Sequence, residues 1–223
     1  MDDNAAVIFE GIPAAAVEFY AGLEAENTKV WWTAHKSDYE LFVRGPMEAL
    51  AAALASEFGE GKLFRPYRDV RFSRDKTPYK TQQGLLVARP CGAGFYARVD
   101  STGLGVGGGF LAHGPGQTAG FRSGVEADGG ALASIVAGLE RAGFTVGGET
   151  LVTAPRGYRA DHPHLPLLRH KEIIVMADLG TPDWLDTPAA AEQVASWWRR
   201  LGPFVDWLDA HVPPPPQREG RRR

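Results

Sequence analysis

Residues 65–83 read R-P-Y-R-D-V-R-F-S-R-D-K-T-P-Y-K-T-Q-Q, and no other segment concentrates charged and aromatic side chains as densely. Between Arg65 and Lys80 this stretch carries six basic and two acidic side chains, in a chain whose net charge is −3. Alternating polarity with β-branched and aromatic residues predicts a strand from Lys62 to Ser73. Asp75 is expected to start a turn after this strand. The residue before a proline avoids the helical region, so Pro78 predicts that the chain leaves the turn extended. We expect the rest of the chain to be organised around this strand and loop.

Side chains alternate between the two faces of a strand. That alternation predicts a polar face formed by Tyr67, Asp69, Arg71 and Ser73, and a second face formed by Arg68, Val70, Phe72 and Arg74. On the second face, Val70 and Phe72 are expected to contact the core. Because arginine forks suit carboxylate or phosphate oxygens and lysine adds a point charge, the cations predict an oxyanion pocket. The alternative is an internal network of salt bridges that ties the strand and loop to neighbouring acidic helices.

The flanking sequence predicts helices before this stretch and strands after it. Pro13 suits a first helical position, and Asn27 is expected to cap a second helix that runs to about Arg44. The predicted helices cover residues 13–26, 27–44, 47–58, 129–142, 189–201 and 204–211, with a short one ending near His170. The predicted strands cover residues 62–73, 85–88, 95–99, 104–111, 145–153 and 171–178. Residues 112–120 are predicted to form a glycine-rich loop.

This order of elements predicts an α+β fold. Consecutive short strands favour a mainly antiparallel sheet of about five to six strands, flanked by N-terminal, middle and C-terminal helices. We expect a single domain over residues 1–212 and a disordered basic Pro/Arg tail over residues 213–223. The tail holds four arginines and one glutamate, so the rest of the chain has a net charge near −6, which argues against nucleic-acid binding.

The composition predicts a cytoplasmic protein. Cys91 is the only cysteine of the 223 residues, which excludes an intramolecular disulfide and fits a reducing compartment. The first ten residues lack the basic and apolar regions of a signal peptide, and no apolar run reaches the length of a membrane span. We therefore expect no membrane association. The sequence leaves the oligomeric state open.

The run R-D-V-R-F-S-R-D-K-T-P-Y-K, residues 68–80, resembles the signature of a bacterial and fungal family catalogued as domain of unknown function 2461. Further pieces that fit in order are Asn27, Trp31, Trp32, His35 and Tyr39, the pair Phe95-Tyr96, the run Gly107-Gly108-Gly109, the loop Gly157-Tyr158…Asp161-His162-Pro163, and the run Leu167 to Lys171. The resemblance covers roughly residues 8–211. It implies a shared fold and marks the central run as the family's hallmark, and it brings no established activity, substrate or catalytic residue.

Two weaker patterns also fit simpler structural roles. The histidines and acids of residues 161–172 have no reliable metal-ligand spacing around Pro163, so capping by Asp161 or His162 is favoured and we expect no metal. Gly103-x-Gly105-x-x-Gly108 spells a dinucleotide fingerprint, but no helix is predicted after it, so the glycines are expected to admit another backbone or a ligand. No cofactor is expected.

The leading hypothesis is binding of an anionic, phosphate- or carboxylate-bearing small molecule at the Arg68–Lys80 segment. Its candidate ligand-binding residues are Arg68, Arg71, Lys76, Tyr79, Lys80 and Arg169. The alternative is an enzyme that acts on a phosphoester or related substrate, with candidate catalytic residues Asp69, Asp75, Tyr79 and His162. A nucleic-acid or protein interaction module, in which tyrosines stack among arginines, is a further alternative. The sequence does not decide whether the protein is an enzyme.

Overall fold

The computed structural model describes residues 8–69, 71, 75–111 and 114–215. Its strands form one six-stranded antiparallel sheet, which confirms the predicted α+β class. The strands are β1 (Lys62–Leu63), β2 (Gln82–Ala88), β3 (Gly94–Asp100), β4 (Gly103–Phe110), β5 (Thr145–Gly147) and β6 (Ile173–Gly180). They lie in the order β1-β2-β3-β4-β6-β5, so β1 and β5 are the two edges of the sheet.

Helices precede, interrupt and follow the strands, as the sequence predicts. They are α1 (Ala14–Ala25), α2 (Lys29–Ala34), α3 (Lys36–Asp38), a π-helix (Tyr39–Arg44), α4 (Gly45–Phe58), α5 (Pro115–Arg141), α6 (Leu165–Leu168) and α7 (Ala189–His211). The backbone of α5 is kinked at Asp128, whose φ and ψ of −144° and 36° are not helical. The indole of Trp207 donates to the Asp128 carboxylate at 3.2 Å, which gives the kink a side-chain partner.

The chain forms two compact units. Unit 1 comprises Met1–Val87, Tyr96–Val106 and Asp178–Trp197, and unit 2 comprises Ala88–Phe95, Gly107–Ala177 and Trp198–Arg223. The predicted single domain over residues 1–212 stays a prediction. Of the predicted tail, residues 216–223 lie outside the described residues.

Each unit has its own apolar interior. In unit 1, helices α1 to α4 bury an aromatic cluster in which the Phe19 ring lies within 6 Å of four other rings. Those rings belong to Tyr20, Trp31, Trp32 and Tyr39. In unit 2, Phe95 stacks on Trp198 at 5.5 Å, and Phe110 stacks on Phe121 at 6.1 Å. Aromatic pairs at such distances add to the stabilisation from burial itself.

The glycines of β4 admit a neighbouring backbone, which is one of the two roles that the sequence predicts for them. Gly103 has a φ of +111°, and a Cβ there would lie 2.2 Å from the carbonyl oxygen of Gly180. At Gly105 the space over the strand holds the Arg98 side chain, whose Nε would lie 3.0 Å from a Cβ. Gly103 therefore requires glycine for the close approach of a backbone, and at Gly105 a larger residue would require the Arg98 side chain to shift.

The predicted strand over residues 62–73 is wrong. Strand pairing with β2 covers Lys62–Leu63 and is followed by one hydrogen bond from the Phe64 N–H to the Gly84 carbonyl of β2 at 2.9 Å. The chain then makes an isolated antiparallel bridge between Tyr67 and Tyr79. The run therefore folds back on itself instead of extending beside β2, and the face alternation expected for Asp69 and Arg71 does not apply. Val70, Phe72, Ser73 and Arg74 lie outside the described residues.

Three further predictions need correction. The second helix is split into α2, α3 and the π-helix, and its cap is Thr28, whose hydroxyl accepts from the Trp31 N–H at 3.1 Å. The predicted glycine-rich loop is helical from Pro115, while Ala112 and His113 lie outside the described residues. Strand β5 ends at Gly147 because Gly148 has a φ of +108° and packs against the Glu172 carbonyl.

Candidate functional site

The charged run forms a hairpin whose two arms are held by backbone hydrogen bonds. The Arg68 N–H donates to the Pro78 carbonyl at 2.9 Å, and the Lys80 N–H donates to the Pro66 carbonyl at 2.8 Å. These two bonds flank the Tyr67–Tyr79 bridge. Both ends of the hairpin are therefore fixed relative to unit 1, and its loop begins after Arg68.

Asn27 braces the hairpin from the start of the helical region. Its side-chain amide donates to the Tyr79 carbonyl at 3.0 Å and accepts from the Tyr79 N–H at 3.1 Å. One side chain thus supplies both bonds that a neighbouring strand would supply. The Tyr79 ring is buried and stacks on Trp32, with centroids 4.3 Å apart and planes 10° apart. Burial raises the pKa of Tyr79, so this candidate residue is a neutral core side chain at physiological pH.

Four of the predicted site residues pair with one another. Arg71 binds Asp69 through both its Nε and its Nη2, the latter 2.7 Å from Oδ2, and both side chains are largely exposed. Arg68 forms an ion pair with Asp75. The hydrogen bonds from Arg71 lower the pKa of Asp69 from its usual 3.8 to about 2. These four side chains therefore form two ion pairs within the hairpin.

The loop between the paired residues is stabilised locally. Asp75 Oδ1 accepts from the backbone N–H of Thr77 at 2.9 Å and from its hydroxyl at 2.8 Å, which is the geometry of an Asx-turn. Lys76 is exposed beside this turn. The turn chemistry predicted at Asp75 is therefore present.

The base of the hairpin is different, because positive charge accumulates there. Lys80 Nζ lies 5.2 Å from the centroid of the Phe64 ring. Partial burial lowers the pKa of Lys80, and the charges of Arg65 and Arg68 lower it further. Within the described chain, no carboxylate lies at ion-pair distance from Arg65 or Lys80.

Arg65 and Phe64 also line a groove of about 790 Å³ in unit 1, which we call the β1 groove. Its strand side is residues 60–67. Its helix side consists of Trp32, Lys36, Tyr39, Glu40, Arg44, Glu48, Ala51, Ala52 and Ala55. On the helix side, Arg44 binds Glu40 at 3.2 Å and Glu48 at 2.9 Å, so most of that charge is internally matched. The charged residues that line the strand side are Lys62, Arg65 and Glu60, so its lining carries one more positive than negative charge. Besides the hydrogen bonds from Arg71, the charge of Arg65 also lowers the pKa of Asp69.

A polar network fixes the floor of the β1 groove. The Tyr39 hydroxyl donates to Gln83 Oε1 at 2.7 Å, and Gln83 Nε2 donates to the Phe64 carbonyl at 2.8 Å. Both side chains are almost fully buried, and burial raises the pKa of Tyr39 to about 12. Tyr39 also begins the π-helix, a rare geometry that is frequent at functional sites.

The two remaining candidates, His162 and Arg169, belong to unit 2. His162 Nδ1 accepts from the His164 N–H at 3.0 Å, and Nε2 lies 3.4 Å from Glu126 Oε2. With one nitrogen accepting a backbone N–H and the other directed to a carboxylate, the ring has no free basic nitrogen. The Nε of Arg169 is buried and has no hydrogen-bond partner among the described residues.

The described residues also bear on metal binding, thiol reactivity and membrane insertion. Among residues 8–69, 71, 75–111 and 114–215, no group of three His, Cys, Asp or Glu side chains is arranged to hold a metal ion. Burial raises the pKa of the Cys91 thiol to about 11, which leaves it unreactive at neutral pH. In the same part of the chain, no helix is both long enough and apolar enough to cross a membrane.

Sequence reasoning missed several members of the β1 groove. Lys36 and Lys62 were not among the candidates, and Arg65 was counted only as part of the charged run. The small residues Ala51, Ala52 and Ala55 recur at helical spacing and leave room beside the strand, a pattern readable in advance only as a good helix former. Their alignment with residues 60–67 requires the fold, since α4 and β1 meet through a turn at Gly59.

The fold and the groove define a class: an α+β protein in which a charged hairpin, braced by Asn27 and Trp32, borders an aromatic and cationic groove. The family described as conserved hypothetical protein (DUF2461) matches residues 15–207. The chain belongs to that family, as the central motif predicts. No curated protein and no solved structure matches the chain.

Proposed function

We propose that the protein binds an anionic ligand, bearing phosphate or carboxylate, at the strand side of the β1 groove. The observation that carries the proposal is the pair Arg65 and Lys80, whose positive charges have no carboxylate partner among the described residues. A guanidinium fork and an ammonium group beside aromatic rings suit an oxyanion.

The electrostatics of Lys80 support this placement. Its pKa is lowered by burial first and by neighbouring cations second, so the unliganded site destabilises its own charged form. A bound anion compensates for the repulsion from the neighbouring cations and offsets the cost of burying the Lys80 charge, so it raises the pKa of Lys80. Binding and protonation of Lys80 are therefore coupled.

The proposed site lies at the base of the hairpin, whereas the sequence suggested the whole Arg68–Lys80 segment. Asp69, Arg71, Arg68 and Asp75 are engaged with one another at the loop. The base of the hairpin, from Arg65 and Lys80 to Lys62, supplies the uncompensated charge. Cytoplasmic binding of a small metabolite fits the single buried thiol and the groove volume of about 790 Å³.

The enzyme alternative has less support. A carboxylate with a pKa of about 2, as at Asp69, is a poor general base near neutral pH. Asp75 is occupied by Arg68 and by the Thr77 turn. We therefore propose binding as the function of this region.

Titration with inorganic pyrophosphate and with succinate, followed by amide chemical shifts and calorimetry, tests the proposal. We expect shifts centred on residues 62–68 and on Lys80, and a rise in the pKa of Lys80 at saturation. Arg65→Gln should weaken binding by about tenfold or more, the effect of losing a hydrogen bond to a charged group.

Arg159→Gln in unit 2 is the matched control, since Arg159 already pairs with Asp161 at 2.8 Å. It should leave the affinity unchanged. Binding that is insensitive to Arg65→Gln, or shifts centred on residues 156–171, would contradict the proposal.

A further inference from the structure

The β1 groove has an open strand edge as its strand side. Strand β1 pairs with β2 through Lys62–Leu86 and Leu63–Leu85, and the Phe64 N–H donates to the Gly84 carbonyl at 2.9 Å. Backbone groups alternate in direction along an antiparallel strand. Because Phe64 faces β2, the N–H and C=O of Leu63 point away from β2, toward the free edge of the sheet.

The backbone N–H and C=O groups of alternate residues keep this outward direction further along the chain, in the first arm of the hairpin. Pro66 and Arg68 use their backbone groups to pair with Lys80 and Pro78. Tyr67 lies between them, so its own N–H and C=O point outward. In the described part of the chain, the backbone groups of Arg65 and Tyr67 make no hydrogen bond. Residues 63, 65 and 67 thus present three consecutive outward N–H and C=O pairs.

This edge is accessible, and a helix face lies opposite. Arg65 is exposed and Tyr67 is 53% exposed. Helix α4 contributes Ala51, Ala52 and Ala55 to the other side of the groove, where short side chains leave space. A free strand edge with a helix across a groove is the arrangement in which an extended peptide can add as a further strand.

We propose that the β1 groove binds an extended acidic peptide segment, which adds as an antiparallel or parallel strand to the outward edge of residues 63–67. The inference rests on the proposed anion binding and names its ligand class: the anion is a carboxylate on a peptide. Charge complementarity selects an acidic segment, because Lys62 and Arg65 line the strand side together with Glu60 as its one acidic lining residue, and Lys80 Nζ lies 5.2 Å from the ring of the lining residue Phe64.

The length of the edge sets the size of the ligand. Four residue steps at about 3.3 Å each give about 13 Å from Leu63 to Tyr67, which accommodates a segment of about five residues. Backbone hydrogen bonds supply register and part of the affinity. Alternate side chains then either contact the alanine face or meet the cations.

The test uses the acetylated and amidated hexapeptide VEVEVE with the full-length protein. Binding is measured by calorimetry, and protection of individual amides by hydrogen exchange. We expect exchange of the amides of Leu63, Arg65 and Tyr67 to slow at least tenfold at saturation. The amides of β5, the opposite edge of the sheet, serve as the internal control and should be unaffected.

Backbone N-methylation separates strand addition from charge attraction. Two versions of the peptide are methylated on alternate residues, one on the valines and one on the glutamates. Strand addition requires that one version loses at least tenfold in affinity while the other retains it, because only one edge of the peptide faces the protein. Equal affinities of both versions, or no protection at residues 63–67, would overturn the inference.

Pyrophosphate binding distinguishes the two proposals. If pyrophosphate binds through Arg65 and the peptide does not, the peptide inference fails and anion binding stands. If neither binds, both fail. Self-association through β1, seen by sedimentation and not reversed by the peptide, would assign this edge to a second copy of the chain and also overturn the inference.

Discussion

The hairpin of residues 65–80 and the loop of residues 156–171 are both rich in charge, yet they use it differently. In the loop, Arg159 binds Asp161 at 2.8 Å, His162 lies 3.4 Å from Glu126, and Lys171 pairs with Glu149. Arg156 and Arg169 of the same loop make no ion pair with a described residue. In the hairpin, ion pairs occupy the loop end, while Arg65 and Lys80 at the base have no such partner among the described residues.

The difference shows that the number of cations does not define an anion site. A cation paired with a nearby carboxylate has part of its hydrogen-bonding capacity occupied and its charge partly neutralised, so it attracts an incoming anion less strongly. Exposed ion pairs contribute little to stability but do neutralise the local field. What distinguishes Arg65 and Lys80 from the unpaired arginines of the loop is their position beside the aromatic side chains of the β1 groove.

The largest expected effect comes from supplying the groove with its own carboxylate. Ala52 is exposed on α4 and lines the β1 groove, so Ala52→Glu should fit the helix and reduce pyrophosphate affinity by about tenfold or more through like-charge repulsion. Calorimetry measures the affinity, and urea unfolding should show a stability change within about 0.5 kcal/mol. Ala52→Gln has nearly the same size without the charge and should retain binding. Equal losses in both variants would attribute the effect to steric blocking.

The second-largest effect is expected from removing the Asn27 side chain, which braces the hairpin. Asn27→Ala removes both hydrogen bonds to the backbone of Tyr79 and leaves that N–H and C=O partly buried, at a cost of about 1–3 kcal/mol in unfolding free energy. Urea denaturation provides the measurement. Asn27→Asp keeps the acceptor for the Tyr79 N–H but places an oxygen that cannot donate against the Tyr79 carbonyl, so it should also destabilise the protein. A negligible change for Asn27→Ala would mean that the Trp32–Tyr79 stack alone holds the hairpin.

Removing the carboxylate partner of Arg159, in the loop of residues 156–171, should create weak anion binding there. Asp161→Asn removes the carboxylate that holds Arg159, and because Arg159 is largely exposed we expect only about a two- to threefold gain in local anion affinity. Pyrophosphate-dependent shifts at the Arg159 side chain report the gain. Asp161→Glu keeps the charge and should give none. If Asp161→Asn also gives none, pairing is not what separates the two regions.

The smallest effect concerns the paired end of the hairpin. Since the pKa of Asp69 is depressed from 3.8 to about 2, its contribution to stability is complete above about pH 4 and is lost as the pH falls through about 2. Carboxyl chemical shifts measure this titration. Arg71→Gln should return the pKa of Asp69 toward 3.8, with Arg71→Lys intermediate because it keeps the charge without the fork. An unchanged pKa in Arg71→Gln would assign the shift to another group.

The sequence by itself determined the elements with strong local signals. Short strands punctuated by turns predicted the antiparallel sheet, and the order of helices and strands predicted the α+β class, because period and turn chemistry are local properties. The motif of residues 68–80 was enough to identify the family. The Asx-turn at Asp75 and the close approach at Gly103 were likewise visible in the residues alone.

Only the tertiary structure decided which charges are available. Asn27 looked like a helix cap, but its amide bonds Tyr79, 52 residues away along the sequence. The charged run looked like one strand, but pairing between Tyr67 and Tyr79 folds it into a hairpin, which brings Arg68 to Asp75 and leaves Arg65 beside α4. Pairing depends on which distant side chains meet. Local pattern carries no information about that, so the sequence located the charge and the fold determined where it is unmatched.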